Sequence, residues 1–532
     1  MRLDRVYIDG FKNLRGFEID FDEGRLTAVI IGQNGTGKSN LIEAIATVFR
    51  DVDLNRKTRF TYDILYRING RSVRVANRDG RPVVEADGAG VSRREFDNNK
   101  DAYFPALVFG YYSGTGRRLE RVFDEHQRKY YDEIIKEGDS SFYERAARDR
   151  RLFYSRTIHG SFALMVMQAF INSEIPAFLE DKLKITEFHS ALAVLKEPSW
   201  FKGKSSGRGR RSYAELERQA ESLWGASGLA GDCVRSLKEV AFLPFGLKGS
   251  VLDDYRKGRR DEPQMGCFLR DVVRLREFAS RYSSEQDLFN ALEAVDISDL
   301  IRDLHIWIAR RNEDDEVEFN DLSDGERQLL MVLGLIRISR GRNALFLLDE
   351  PDTHLNPIWQ HTYLDLIHEW SGIASDERGF HILMTSHNPL TIAGLKREEV
   401  HVMYEDRQTG QTKAEMPSVD PRGLGVAGVL RQIFGMRTTL DPETQKLIDE
   451  RNRLLAQESR DKGQEVRLQE MNDQIRALGI SLQNQQDLFE QFLRALDEKY
   501  LQERALSPRD VAEQNDAIRA AVAKLKAQKS VQ

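Results

Sequence analysis

An α/β fold on a mixed sheet, split by a mainly helical insertion and closed by a helical tail, is what this 532-residue sequence predicts. Three observations carry the expectation. Short apolar strands recur before residue 114 and return between 301 and 437. One early strand runs straight into a glycine-rich loop and an amphipathic helix. Between the strand-rich blocks, and again past Pro442, the chain is polar, charged and helix-periodic.

The elements follow in order. Val6-Tyr7-Ile8 and Phe17 to Phe21 read as two strands of an antiparallel meander. Leu26 to Ile31 is a third strand, and behind its loop Leu41, Ile42, Ile45, Val48 and Phe49 recur at helical spacing. Residues 60–95 alternate apolar and polar, with Asn-Gly at 69–70 and Asp-Gly at 79–80 and 87–88 as hairpin turns. Ala106 to Tyr112 is a further apolar strand. From 115 to 300 the pattern predicts helices with few strands, and strands resume at Leu304–Ile308, Val317–Phe319, Ala344–Leu348 and Ile382–Thr385. The expected units are 1–114 and 301–437 as two blocks of one head, 115–300 as an insertion, and 438–532 as a C-terminal helical region.

Composition narrows the class. Hydrophobic content of 40% with 31% charge supports a large core and two or three units. The formal net charge is −6, from 79 basic and 85 acidic residues, so contact with nucleic acid would have to come from local patches. Cys233 and Cys267 are too few for a disulfide framework or a zinc cluster. MRLDRVYIDGFKNL has no signal-peptide core, and no run approaches the roughly 18 apolar residues of a membrane span. A cytoplasmic protein without membrane contact is expected.

The chemistry starts at Gly32-Gln33-Asn34-Gly35-Thr36-Gly37-Lys38-Ser39. This stretch fits G-x-x-x-x-G-K-[ST] and stands between a strand and a helix, the context the motif requires. The glycines let backbone amides turn toward a β-phosphate, Lys38 reaches the β- and γ-oxygens, and the Ser39 hydroxyl ligates Mg²⁺. ATP and Mg²⁺ are the expected cofactors. Asp349 and Glu350 end the apolar strand Ala344–Leu348 and could serve as metal carboxylate and as the base polarising water, or as solvated strand-end acids. Thr385-Ser386-His387-Asn388 ends the next strand, where His387 could bond a γ-phosphate or be a surface imidazole. Leu322-Ser323-Asp324-Gly325-Glu326 heads an apolar helix. Ser323 and Glu326 make a capping box there, and the same amides would make an anion site.

Taken in the order GQNGTGKS, LSDGE, LLDEP, TSH, these elements resemble the ATP-binding cassette (ABC) class of ATPases. The resemblance implies an ABC-type P-loop head whose Ser323 and Gly325 face the γ-phosphate held by a second subunit. Asp324, where transporters carry glycine, resembles the SMC/RecF and OLD-like branch. RVYIDGFKNLRGFEIDF resembles that branch's opening strands, which implies that Lys12 and Asn13 approach the nucleotide; an exposed β-turn would also account for them. DEPDTHLNP is similar to the DEPExHLHP form of phage-defence ATPases, implying that Asp352 and His354 run along the dimer interface. The branch's glutamine after Ala106–Tyr112 is missing, and VFGYYSG leaves Tyr112 or Ser113 to replace it.

Outside the head, Lys202, Lys204, Arg208, Arg210 and Arg211 form one basic cluster and Arg256, Lys257, Arg259 and Arg260 another. They could neutralise DNA phosphates or belong to solvated loops. In the tail, Leu468, Met471, Ile475, Leu478 and Leu482 step by three and four, and Phe489, Phe492 and Leu496 continue them. A stripe of that kind docks a neighbour: a partner protein, a second copy or a helical hairpin. No histidine lies beyond His401 and no Glu…Asp-x-Asp constellation follows the head, so the chain is expected to lack a nuclease of its own.

The whole resembles PtuA-like ATPase subunits of Septu-type anti-phage systems. That implies a homodimer through the heads, with higher assembly left open, whose ATP state controls a separate nuclease subunit docked on the C-terminal helices. A RecF-like repair or recombination ATPase acting on DNA without a nuclease is the alternative.

Overall fold

The structure, a computed structural model, describes residues 1–480 apart from 23, 171–173, 203–212, 253–254, 257, 312, 339–342, 371–378, 407, 437, 456 and 458, and beyond 480 only Asp516. The chain opens with β1 (Arg2–Asp9), β2 (Phe17–Asp20) and β3 (Thr27–Gly32). The phosphate-loop helix Lys38–Leu54 follows. Next come β4 (Thr61–Ile68), β5 (Arg71–Arg78), β6 (Arg81–Ala86) and β7 (Ala89–Val91), joined at the expected Asn-Gly and Asp-Gly turns. Asn69, Asp79 and Asp87 all take the left-handed conformation that these two-residue hairpins demand. β1, β2 and β4 to β7 form a six-stranded antiparallel sheet ordered β2-β1-β4-β5-β6-β7.

β8 (Leu107–Tyr112) and β9 (Leu152–Tyr154) belong to a second, central sheet. Its seven strands run β18-β17-β3-β16-β15-β8-β9, where β15 is Ala344–Asp349, β16 Phe380–Thr385, β17 Val400–Glu405 and β18 Thr412–Glu415. All neighbours pair in parallel except β17 with β18. β15 is buried at every position because both faces of the sheet are covered. Ile30, Leu345, Leu347 and Leu383 face the phosphate-loop helix and the antiparallel sheet. Val29, Ile31, Phe346 and Met384 face the helices Ile158–Ala169 and Asp324–Ile338.

Residues 115–300 carry more strand than their texture predicts. Besides β9, they hold β10 (Ile185–Lys196), β11 (Phe245–Val251) and β12 (Arg260–Leu269). These join β13 (Ile301–Arg310) and β14 (Val317–Glu318) in a five-stranded antiparallel sheet, β11-β12-β10-β13-β14. The expected boundary at 300 therefore cuts through a sheet, since β13 pairs along β10 from Ile185↔Arg310 to Leu195↔Ile301.

The tail forms a helical hairpin, Pro442–Leu455 and Lys462–Ala477, the second helix opened by an Asp461 capping box with Gln464. Met471 and Ile475 are buried, and Arg451 on the first helix bonds Asn472 at 2.6 Å. That part of the stripe is closed by the chain itself, whereas Leu478 remains 56% exposed. Leu482, Phe489, Phe492 and Leu496 lie outside the described residues, as do Lys204, Arg208, Arg210, Arg211 and Lys257. No described helix is long and apolar enough to cross a membrane.

Candidate nucleotide site

The site gathers at the carboxyl ends of β3, β15 and β16, where parallel strands deliver their loops to one edge of the sheet. Gly32 ends β3 with φ +148, and a Cβ there would stand 2.2 Å from the Met403 carbonyl of β17. Gly37 has φ +100, and its Cβ would meet the Asn13 amide at 2.6 Å. Only glycine fits either place. Gln33, Asn34 and Gly35 are exposed at the loop's crown, while Lys38 is 5% exposed. The Lys38 ammonium donates to the Gly32 and Gln33 carbonyls at 2.8 and 3.1 Å, folded onto its own loop. Burial pushes it down to about 8 against the pull of Glu350 and Asp349.

Asn13 holds this loop from outside. Its amide donates to the Thr36 carbonyl at 3.0 Å and the Gly35 carbonyl at 3.3 Å, and its oxygen accepts from Asn40 at 2.7 Å. Lys12 turns instead to Glu43 on the phosphate-loop helix, 2.6 Å away. Asn13 is thus a brace for the loop, and Lys12 is occupied by an ion pair.

The two acids are set by β16. Asp349 accepts from Ser39 Oγ at 3.0 Å and from Thr385 Oγ1 at 2.6 Å, both on Oδ1. Burial raises the Asp349 carboxyl, and those hydroxyls pull it back down. Glu350 adopts φ +56, unusual for a non-glycine residue. Its N–H is held by the Thr385 carbonyl at 3.2 Å and the Thr385 hydroxyl at 3.0 Å. Its carboxylate meets His387 Nε2 at 2.5 Å, and this bond holds Glu350 below the usual range in spite of burial. Glu350 is thereby held in its ionised form near neutrality and partly open to solvent.

The signature segment satisfies the capping reading. Glu326 accepts from the Ser323 N–H at 2.9 Å and from its hydroxyl at 2.8 Å, and Ser323 Oγ accepts the Glu326 N–H at 3.3 Å. Ser323 is exposed at the head of the helix Asp324–Ile338, while Gly325 is buried under the His354 carbonyl, 2.5 Å from where a Cβ would stand. Asp352 is 2% exposed and accepts from Ser386 and Thr391, each at 2.6 Å. It anchors the segment internally, and His354 is the exposed member of the pair.

Motif reading missed Thr385, Asn40 and Arg118. Arg118 Nη2 lies 3.7 Å from Asp349 Oδ2 and its Nη1 3.4 Å from Asn40 Oδ1. Tyr112 and Ser113, expected to stand in for the missing glutamine, make different contacts: the Ser113 N–H donates to the Asp349 carbonyl at 3.1 Å, and the Tyr112 ring lies under the Arg118 guanidinium. A basic residue two positions before the helix Glu120–Ile134 was the available signal.

Comparison with known proteins agrees with the motifs. Residues 1–103 match the family described as "AAA ATPase domain", and residues 168–393 match "AAA domain, putative AbiEii toxin, Type IV TA system". The Septu protein PtuA of Bacillus mycoides (strain KBAB4) is 25% identical over 252 residues, 44% of this chain and 33% of that protein. The chain thus spans about a third of that relative's length. Among solved structures, an Smc head bound to the C-winged helix domain of ScpA covers 78% of this chain and 97% of its own, with 14% identity and a TM-score of 0.32. The Smc head with coiled coil and joint from Pyrococcus yayanosii shows 12% identity over 78% and 97%, with a TM-score of 0.31. The chain is similar to AAA-type ATPases and resembles PtuA.

Proposed function

We propose that this chain binds Mg²⁺·ATP on Gly32–Ser39, hydrolyses it with Glu350 as base, and uses the nucleotide state to control a separate effector, a nuclease, in anti-phage defence. One observation carries the catalytic part. A continuous run of hydrogen bonds joins Ser39, Asp349, Thr385, Glu350 and His387, tying the phosphate loop to both acids. Ser39 Oγ and the Asp349 carboxylate are the pair that would hold Mg²⁺, which when bound would neutralise phosphate charge. Lys38 is close enough to exchange two loop carbonyls for phosphate oxygens. Glu350 accepts a proton from water, and His387 stabilises the carboxylate and orients it. Ser323, exposed on a helix N-terminus, completes the site on a second copy of the chain.

The defence role and the separate effector both rest on the likeness to PtuA. A DNA-contacting reading draws on Tyr255, 84% exposed with the Arg256 guanidinium 5.8 Å from its ring centroid, beside Arg259 on the β11–β12 hairpin. The decisive test of the catalytic reading is a pair of variants. Lys38→Ala should lose ATP binding, while Glu350→Gln should bind ATP and stop turnover. Full turnover by Glu350→Gln moves the base elsewhere. Mixing Ser323→Arg with Lys38→Ala should restore one intact site per heterodimer; heterodimers shown to form with no recovered turnover would mean either that completion by a second copy is wrong or that both sites must fire together.

A further inference from the structure

The seven residues Ser113–Leu119 connect β8 of the central sheet to the helix Glu120–Ile134, the first helix of the insertion. Arg118 reaches back from this connection into the nucleotide site. Its Nη2 stands 3.7 Å from Asp349 Oδ2, its Nε 3.8 Å from Glu43 Oε2, and its Nη1 bonds Asn40 Oδ1 at 3.4 Å. The guanidinium lies 5.7 Å from the centroid of the Tyr112 ring. Asp349 is thus divided between two kinds of partner. Oδ1 takes the hydroxyls of Ser39 and Thr385, and Oδ2 faces a cation.

The other end of the connection is mechanically placed. Leu119 is buried, as are Val122, Phe123, His126 and Tyr130 on the helix it opens. His126 bonds Asp53 at the end of the phosphate-loop helix, and the Phe123 ring lies against Gly110 of β8. Between β8 and Arg118, Gly114 has the Tyr112 hydroxyl within 2.3 Å of where a Cβ would stand. Arg118 is thus followed directly by a residue packed with that helix.

We propose that Arg118 and the divalent cation are alternatives at Asp349 Oδ2. Arg118 gives up the carboxylate as metal-loaded nucleotide enters and shifts the Ser113–Leu119 connection, reporting site occupancy to the insertion. Two cations beside one carboxylate repel each other, and Arg118, 40% exposed, has solvent to move into. Arg118 is here a positioning residue that acts through Asp349. The inference rests on the reading of Ser39 and Asp349 as the metal pair.

The test is an Mg²⁺ titration of fluorescent ATP-analogue binding in the Glu350→Gln background, where no turnover intervenes. Arg118→Ala should lower the Mg²⁺ midpoint about two- to fivefold, the scale of a partly exposed charge interaction. It should leave binding in EDTA unchanged, and Arg118→Lys should stay near the parent. Trypsin cleavage after Arg117 and Arg121 should rise on adding Mg²⁺·ATP to the parent and become insensitive to the metal in Arg118→Ala. Asp349→Asn separates the two claims. If it leaves the Mg²⁺ midpoint in place, the metal reading fails. If it raises the midpoint while Arg118→Ala leaves or raises it, or the trypsin pattern stays metal-dependent in Arg118→Ala, the inference about Arg118 is overturned.

Discussion

Replacing Thr385 with valine removes one hydroxyl that holds both acids of the site. That hydroxyl is fully buried, donates to Asp349 Oδ1 at 2.6 Å and accepts the Glu350 N–H at 3.0 Å. Valine keeps the shape and loses both bonds. A hydrogen bond to a charged acceptor contributes about 1.5–3 kcal/mol, and the Glu350 N–H retains the Thr385 carbonyl at 3.2 Å, so the expected loss of stability is about 2–3 kcal/mol. The functional cost falls on the metal. Burial already raises the Asp349 carboxyl, and one of the two hydroxyls opposing that rise would be gone, so protons compete better for the carboxylate proposed to hold the metal. Removing a partner of a metal ligand typically costs about 10–100-fold in affinity. The assay is the Mg²⁺ midpoint of ATP turnover at saturating ATP, with thermal unfolding run alongside. The midpoint should rise by that factor, more at pH 6 than at pH 8, and Thr385→Ser should restore most of it. A folded Thr385→Val protein with the parent's Mg²⁺ midpoint would refute the reasoning.

Three further outcomes are expected. Gly325→Ala puts a Cβ 2.5 Å from the His354 carbonyl, so it should cost about 1–3 kcal/mol in thermal unfolding and lower ATP turnover while a single head still binds ATP. Burial lowers His381 to about 3 and His401 to about 4, so the unfolded chain takes up protons first as pH falls below 6.5. Stability should be full above pH 6.5 and fall by about 1.4 kcal/mol per pH unit for each such histidine down toward pH 4; because burial also lowers His159 and His368, His401→Gln should take only its own share out of the slope in pH-dependent unfolding. Ile475→Asp, at a fully buried position of the tail hairpin, should abolish amide-exchange protection across residues 442–477 while ATP turnover persists.

Local spacing made much of this molecule legible. The phosphate loop, the hairpin turns at 69–70, 79–80 and 87–88, and the Ser323–Glu326 capping box are each settled within a few residues of chain. What stayed hidden depends on distant approach or on broken periodicity. β10 slips register between Ile185 and Glu187, Phe188 and Ser190, and Val194 and Leu195, so its side chains do not alternate cleanly and its sequence merged with helical texture. β12 carries Pro263, which argues against a strand; the proline is tolerated opposite Lys248 of β11, where the β10 ladder has not yet begun. Arg118 sits in a segment whose sequence names no partner, and the bracing of the phosphate loop by Asn13 appears only when Gly35, Thr36 and Asn40 arrive beside it.

Glu350 shows why the order of motifs along the chain says less than their place on the sheet. A left-handed φ at a glutamate costs about 1–3 kcal/mol and persists only where neighbours over-determine it. Here the neighbour is Thr385, which stands beside Asp349 in the parallel register of β15 and β16. β16 also pairs with β3, which ends in Gly32 and hands the chain to the phosphate loop. Parallel pairing sends all three strands out at the same edge, so a loop near residue 35, two acids near 350 and a histidine near 387 meet. The threonine closing β16 therefore does more than begin a loop. It fixes the acid that ends the strand beside it, and a substitution there should be felt at Asp349 and Glu350 before it is felt anywhere in the phosphate loop.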